Sequence, residues 1–423
     1  MLQIHEHGRA GYDQTLASLS RRGDADLERV EPAVRAILKR VQAEGDAAIV
    51  ALTQEFEGRT QEAIRLSDEA FREGAAQAPA EVRALLKEAA ERIRRYHEHQ
   101  RDPGFAYRED GVELGMRVRP VRSAAVYAPG GKARYPSTVL MTAVPAAVAG
   151  VQRIVLVTPR PTPEILAAAE IAGVTEVIDA GGAQAIAAAA YGTESVGRVE
   201  KIVGPGNIFV ACAKRLVFGL VDIDSIAGPS EILVVADDAA DPEVVAADLL
   251  SQAEHDEDAY ALLVTLSRQQ ADAVSAAVER QLAALPRRDI AEASVRRNGH
   301  CFVVPSLAEA VRVADELAPE HLNLSVADAD AALDGISAVG AAFLGYHTPE
   351  AAGDYAAGPS HVLPTGGSAR FASPLGVYDF VVRTSVIRYD QDAITRQAPL
   401  LEGLARLEGL EAHARAVAIR RGR

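Results

Sequence analysis

The segment Ser251-Gln252-Ala253-Glu254-His255-Asp256 carries an amide and an imidazole three residues apart, two of the donor types of a tetrahedral nitrogen/oxygen metal site. Its upstream sequence places it at the C-terminal end of a helix. Asp241 suits the N-cap, Pro242 suits the first helical position, and Val244, Val245 and Leu249 repeat on one face. Residues three apart on a helix project side by side, so Gln252 and His255 are expected to share a face. Most such pairs are simply polar residues at a helix end. The reading therefore depends on partners elsewhere in the chain.

Three more of the ten histidines stand in suggestive surroundings. His321 follows Glu320 in Ala318-Pro319-Glu320-His321-Leu322, where two adjacent proton acceptors differ in intrinsic pKa. His361 closes the run from Ala352 through Gly353, Asp354 and Tyr355, and Asp354 could be either a hard ligand or a turn former. His413 lies near the end of a terminal helix, where a histidine also suits the helix dipole. Gln252, His255, Asp354 and His413 would together supply two nitrogens and two oxygens, a set suited to zinc without thiolate. Nothing in the spacing shows that they converge.

No G-x-G-x-x-G opens a strand–helix unit. Three glycine turns stand at strand ends instead: Tyr127-Ala128-Pro129-Gly130-Gly131-Lys132, Gly181-Gly182-Ala183-Gln184 and Gly204-Pro205-Gly206-Asn207. Such turns let backbone approach a phosphate at a helix N-terminus, although they also serve as ordinary tight turns. Together they favour a dinucleotide cleft. Gly228-Pro229-Ser230-Glu231 adds a fourth loop where two α/β blocks meet.

The elements that must carry these residues follow from texture. Residues 24–100 read as charged helices, with Leu85, Leu86, Ala89 and Ile93 as the apolar stripe of the stretch Glu81 to Arg101. From residue 119, strands at 123–127, 153–158, 176–179 and 201–203 alternate with helices at 137–149, 163–172, 183–190 and 207–218. This predicts a parallel sheet covered on both faces, with binding at the C-terminal strand ends. A second block has strands at 232–236, 261–266, 301–304 and 341–345, with helices from Asp241, from 269 to 285 and from Ser306. Residues 351–375 are rich in Gly, Pro, Ser and Thr, and a C-terminal helix contains Leu404, Leu407, Leu410 and Val417.

Size and composition set the outer bounds. A chain of 423 residues, 48% hydrophobic and 24% charged, suits a globular protein of two or more domains. A net charge of −15 without a basic run disfavours nucleic acid and anionic membrane, and is compatible with a cationic small substrate. The N-terminus has no signal-peptide pattern, and the apolar stretch 138–151 is too short to span a bilayer. Cys212 and Cys301 form no motif, which predicts two buried thiols and a cytoplasmic location.

With these residues in hand, the chain resembles histidinol dehydrogenases over nearly its whole length. The matching segments are 127–131 with 137–141, 181–186, 192–196, 204–207, 228–233, 251–256, 319–322, 352–367 with Ala369-Arg370-Phe371, and 408–413. The resemblance implies a zinc- and NAD-dependent, four-electron oxidation of L-histidinol to L-histidine through L-histidinaldehyde, closing histidine synthesis. It implies two incomplete, Rossmann-like, mostly parallel domains with small helical extensions at both ends, in a homodimer whose tail reaches the partner's site. The expected regions are an N-terminal extension (1–23), a discontinuous large domain (24–126 and 232–375), an NAD-contacting domain (127–231) and a tail (376–423). Carried over by position, Gln252, His255, Asp354 and His413 bind zinc, with His413 coming from the other subunit. Glu320 and His321 are acid/base residues. Ser230, His361 and Glu408 hold substrate together with the zinc ligands and His321, and Glu408 also comes from the partner. Tyr127, Gln184 and Asn207 contact NAD, of which two are used per substrate. The competing readings are a related dehydrogenase of another polyol, such as a sulfonated propanediol, a zinc hydrolase, and a purely structural metal.

Overall fold

A computed structural model describes residues 2–22, 27–61, 63–130 and 135–421. Residues 123–127, 153–157, 176–178, 201–203 and 222–223 form a five-stranded, wholly parallel sheet with Ser123–Tyr127 at its centre. Its alternate residues feed two cores. Ala125, Tyr127, Val155, Val157 and Ile202 face the helices Leu27–Glu44, Gly182–Tyr191 and Ile208–Val217. Ala124, Val126, Ile154, Leu156 and Val203 face Pro136–Ala149, Pro163–Ala172 and Ala80–Glu98. Burial on both faces explains why these strands read as short apolar runs without alternation.

The helices between residues 27 and 98, grouped above with 232–375, pack against the helices that cover the five-stranded sheet. In Ala80–Glu98 the buried stripe is Leu86, Ala90, Ile93 and His97. Leu85, expected on it, is exposed.

The second sheet has six parallel strands in the order 3–6, 299–303, 260–265, 231–236, 321–325 and 341–344. It too is doubly covered, with Ile232, Val234 and Leu263 on one face and Leu233, Val235, Leu322 and Leu324 on the other. Cys212 and Cys301 are both free and buried, as expected. A third, antiparallel sheet joins Val381–Tyr389 to Val112–Pro120 and Phe105–Glu109. It carries exposed charges and pairs distant segments, so it left no apolar run to read. The terminal helix is in fact two, Gln391–Leu407 and Glu411–Ala418, broken where Gly409 takes φ +76°. No described helix is long and apolar enough to cross a membrane.

Candidate active site

The C-terminal edge of the five-stranded sheet holds the candidate NAD residues. Tyr127 ends its strand, is buried, and its hydroxyl accepts the backbone N–H of Gly182 at 3.1 Å. A side chain at Gly182, which has φ +67°, would run 2.8 Å from Gln184 Oε1, and one at Gly204, φ +112°, would strike the Tyr127 carbonyl. These two turns therefore need glycine, and they form a cradle of the kind that brings backbone close to a phosphate. Asn207 caps the helix Ile208–Val217, its Oδ1 accepting from Phe209 and Val210 N–H. Gly131 and Lys132 of the first turn lie outside the described residues.

The second sheet contributes its opposite edge. Glu231 and His321 are the first residues of the neighbouring strands Glu231–Ala236 and His321–Ser325, so the candidate acid/base pair lies at the N-terminal strand ends. Helices that follow parallel strands run back antiparallel to them and end at this same edge. That return brings in Gln252, near the end of Pro242–Ala253, which Asp241 caps by accepting the Glu243 N–H at 2.9 Å. The helix stops at Ala253. His255 therefore sits in the turn beyond it, not on the helical face expected, and its N–H reaches Gln252 O at 3.2 Å. Asp354, weighed as a turn former, lies on the short helix Ala351–Tyr355.

These pieces meet. Asp354 stands between three imidazoles: its carboxylate is 3.9 Å from His255 Nε2, 3.9 Å from His321 Nε2 and 3.8 Å from His361 Nδ1. Gln252 Oε1 and His255 Nδ1 are buried without a hydrogen-bond partner. Orphaned buried donors and acceptors are costly unless something satisfies them, and a carboxylate with an imidazole and an amide oxygen suits a borderline cation. His361 is held by Thr138 Oγ1 at 3.2 Å and by the Asp354 carbonyl at 3.0 Å, which ties the second block to the helix Pro136–Ala149 of the first. Ser230 is partly exposed at the mouth of the second sheet, beside Gly228, whose N–H donates to Thr365 Oγ1 at 2.6 Å.

Glu320 and His321 are both buried. Burial pushes the Glu320 carboxyl well above the usual carboxylate range, and the carboxylates of Glu231, Asp354 and Glu350 add to this. Burial lowers His321, so its imidazole is neutral and can accept a proton. Its Nδ1 donates to the Glu231 carbonyl at 3.0 Å, leaving Nε2 as the acceptor, 3.5 Å from Glu350 Oε1. Burial also lowers His361.

Sequence reasoning missed Glu350 and Glu231. Among the described residues, the donor atoms of His321, Glu350 and Asp354 lie within 4.8 Å of one another, an acidic cluster different from the expected set. Glu350 is fully buried and accepts from Ser251 Oγ at 2.9 Å. Burial, then Asp354, pushes its carboxyl upward. The signal was its spacing, four residues before Asp354 across the start of a helix. His413 and Glu408 are exposed on the terminal helical pair, and among the described residues no hydrogen bond or ion pair joins either to this cluster.

Asp248, on the same helix as Gln252, accepts from Asn323 Nδ2 at 2.8 Å, and burial pushes its carboxyl up to about 6. A carboxyl that holds its proton more tightly when folded destabilises the fold as pH rises from its unfolded value through its folded one. Asp248→Asn should therefore raise the melting temperature above about pH 6 and change it little near about pH 4. The gain should be about 1–2 kcal/mol once residual solvent screening is allowed for. Thermal melts of metal-free protein at the two pH values check this, and equal destabilisation at both would contradict it.

The histidinol dehydrogenase family model matches residues 20–421. The chain belongs to the histidinol dehydrogenase family. A histidinol dehydrogenase of Aquifex aeolicus is 50% identical over 97% of this chain and 96% of its own length. One of Bacillus subtilis is 49% identical over 96% of each. The crystal structure of histidinol dehydrogenase from Elizabethkingia anophelis superposes with a TM-score of 0.93 at 34% identity, covering 99% of this chain and 98% of that one. Like the rest of the histidinol dehydrogenase family, the chain is an NAD-dependent oxidoreductase of histidine biosynthesis that uses a metal.

Proposed function

We propose that this protein oxidises L-histidinol to L-histidine through bound L-histidinaldehyde, using two NAD per substrate and one zinc per subunit. The observation that carries the reading is Asp354 set among the imidazoles of His255, His321 and His361, with Gln252 Oε1 and His255 Nδ1 each buried and unpartnered, beside the buried pair Glu320–His321. Gln252, His255 and Asp354 would hold zinc, with His413 of the partner subunit as fourth ligand. When bound, zinc supplies an anchor for the substrate's imidazole, and NAD accepts hydride. Tyr127, Gln184 and Asn207 contact the dinucleotide at the cradle formed by Gly182 and Gly204.

The chain's own groups divide the proton work. His321, kept neutral by burial, takes the hydroxyl proton of histidinol at Nε2. Glu320 then accepts a proton from the water that attacks the aldehyde carbon, a role suited by a carboxyl raised above its usual range. His321, after giving up its first proton to solvent, takes the proton of the hydrated aldehyde in the second oxidation. Ser230, His361 and Glu408 of the partner subunit hold the substrate, with the glutamate facing its ammonium group. Retention of the aldehyde between the two steps follows from these contacts.

The exposed apolar side chains of Leu400, Leu404, Leu407 and Leu410 on the terminal helices, with Phe105, Tyr107, Val382 and Ile387 on the small sheet, support a homodimer. An anionic sulfonated polyol would fit poorly among Glu320, Glu350, Asp354 and Glu408. A hydrolase would have no use for the glycine cradle.

Yield decides the substrate. About two NADH should appear per histidinol consumed, counted by absorbance against histidine formed. An absence of turnover on histidinol would sink the reading. Chelation should abolish activity while the melting temperature stays within a few degrees, about 2–4 °C; unfolding on chelation would make the metal structural.

A further inference from the structure

Glu231 touches both members of the catalytic pair. Its N–H donates to Glu320 Oε2 at 2.8 Å, and its carbonyl accepts from His321 Nδ1 at 3.0 Å. Its own carboxylate, through Oε1, accepts the backbone N–H of Glu320 and of Gly366, each at 3.1 Å. A charged acceptor makes these bonds stronger than a neutral one would. A buried carboxylate beside a second carboxyl needs a compensating cation to stay charged.

That cation comes from 209 residues away. Arg22 engages Glu231 in bidentate fashion through Nε and Nη2, the latter 2.7 Å from Oε1, and both side chains are out of solvent. Arg22 Nη1 also donates to Leu19 O at 2.8 Å, at the end of the helix Tyr12–Leu19, so the guanidinium is itself anchored. The N-terminal segment thus reaches the acid/base pair through one ion pair.

We propose that Arg22 and Glu231 are a positioning pair for the oxidation: Arg22 fixes Glu231, and Glu231 sets the direction of the Glu320 carboxyl and the tautomer of His321, so that Nε2 faces the substrate. Neither residue touches substrate, and the role rests on the histidinol reading above. Reacting groups displaced by about 1 Å lose rate by about a hundredfold, whereas binding by other residues is spared.

The test uses the zinc-loaded full chain and the variants Arg22→Lys, Arg22→Met, Glu231→Gln and the double variant Arg22→Met/Glu231→Gln. Arg22→Met and Glu231→Gln should lower kcat about a hundredfold, with KM for histidinol and zinc content within about threefold of the parent. Arg22→Lys should recover part of the rate, as a point charge without the planar fork. The double variant removes both charges, so it should regain melting temperature without regaining kcat. A double variant within about threefold of parental kcat, or rates that follow melting temperature across the series, would make the pair structural only and overturn the proposal. If single variants do not fold, the double variant and Arg22→Lys decide it by the same criteria. Nitrogen-15 shifts of the His321 ring give a readout free of substrate. The parent should show the Nδ1–H tautomer and the double variant a mixture, whereas an unchanged tautomer counts against the pair. A parent that fails to oxidise histidinol overturns the substrate reading, and the tautomer comparison still decides this one.

Discussion

Glu320→Gln is expected to halt the reaction half-way. On the proposed mechanism the first oxidation uses His321 as base, which the variant keeps, with its Nδ1 bond to the Glu231 carbonyl intact. The second needs a base for water, which a glutamine cannot provide. Pre-steady-state absorbance should show a burst of about one NADH per site, followed by a steady rate about a hundred- to a thousandfold below the parent. An aldehyde trap should capture the intermediate. His321→Asn removes the proposed base of both oxidations, so it should show no burst and lose about a thousandfold or more in kcat. If Glu320→Gln still yields two NADH at the parental rate, Glu320 does not activate water.

Subunit mixing should show the second large effect. His413 is exposed in the single chain, on a helical pair whose apolar residues are also exposed, while His255 and Asp354 come within 3.9 Å of each other without it. If the partner supplies His413, a homodimer of His321→Asn is dead, and one of His413→Asn binds zinc poorly. A mixed dimer has one site with both residues intact. Exchange of the two proteins should therefore raise activity from near zero to about a quarter of the parental value, allowing for one good site in half the dimers. Native mass spectrometry confirms the exchange. No recovery after proven exchange would place all ligands of a site within one chain, and normal zinc content in His413→Asn would remove it from the ligand set.

Much of the local architecture was legible because the strands of both parallel sheets are buried on two faces. Burial on both faces forces short apolar runs, and the predicted strand 123–127 and helix 163–172 match those observed. Caps were equally readable, since Asp241 and Ser306 each satisfy an N–H of their own first turn. Where a segment gains its structure from a distant partner, the local signal failed. The strand His321–Ser325 is not among the predicted strands; it forms where Glu231–Ala236 and Ala341–Leu344 flank it. The sheet joining Val112–Pro120 to Val381–Tyr389 crosses most of the chain and is half polar.

Residue types settled which chemistry was available: an amide, imidazoles and carboxylates without thiolate, an adjacent acid/base pair, and glycines where backbone must come close. Their order along the chain also carried the family resemblance. Tertiary structure alone decided convergence. It set Asp354 among His255, His321 and His361, and it placed the candidate acid/base pair at the N-terminal edge of one sheet, with the candidate cofactor cradle at the C-terminal edge of the other. It also revealed Glu350, a buried carboxyl, and the Arg22–Glu231 ion pair, whose members lie 209 residues apart. The physical reason is range. Propensity, capping and burial pattern act within a few residues, whereas proton affinity and ligand geometry depend on which charges share a desolvated pocket, and only packing brings those together.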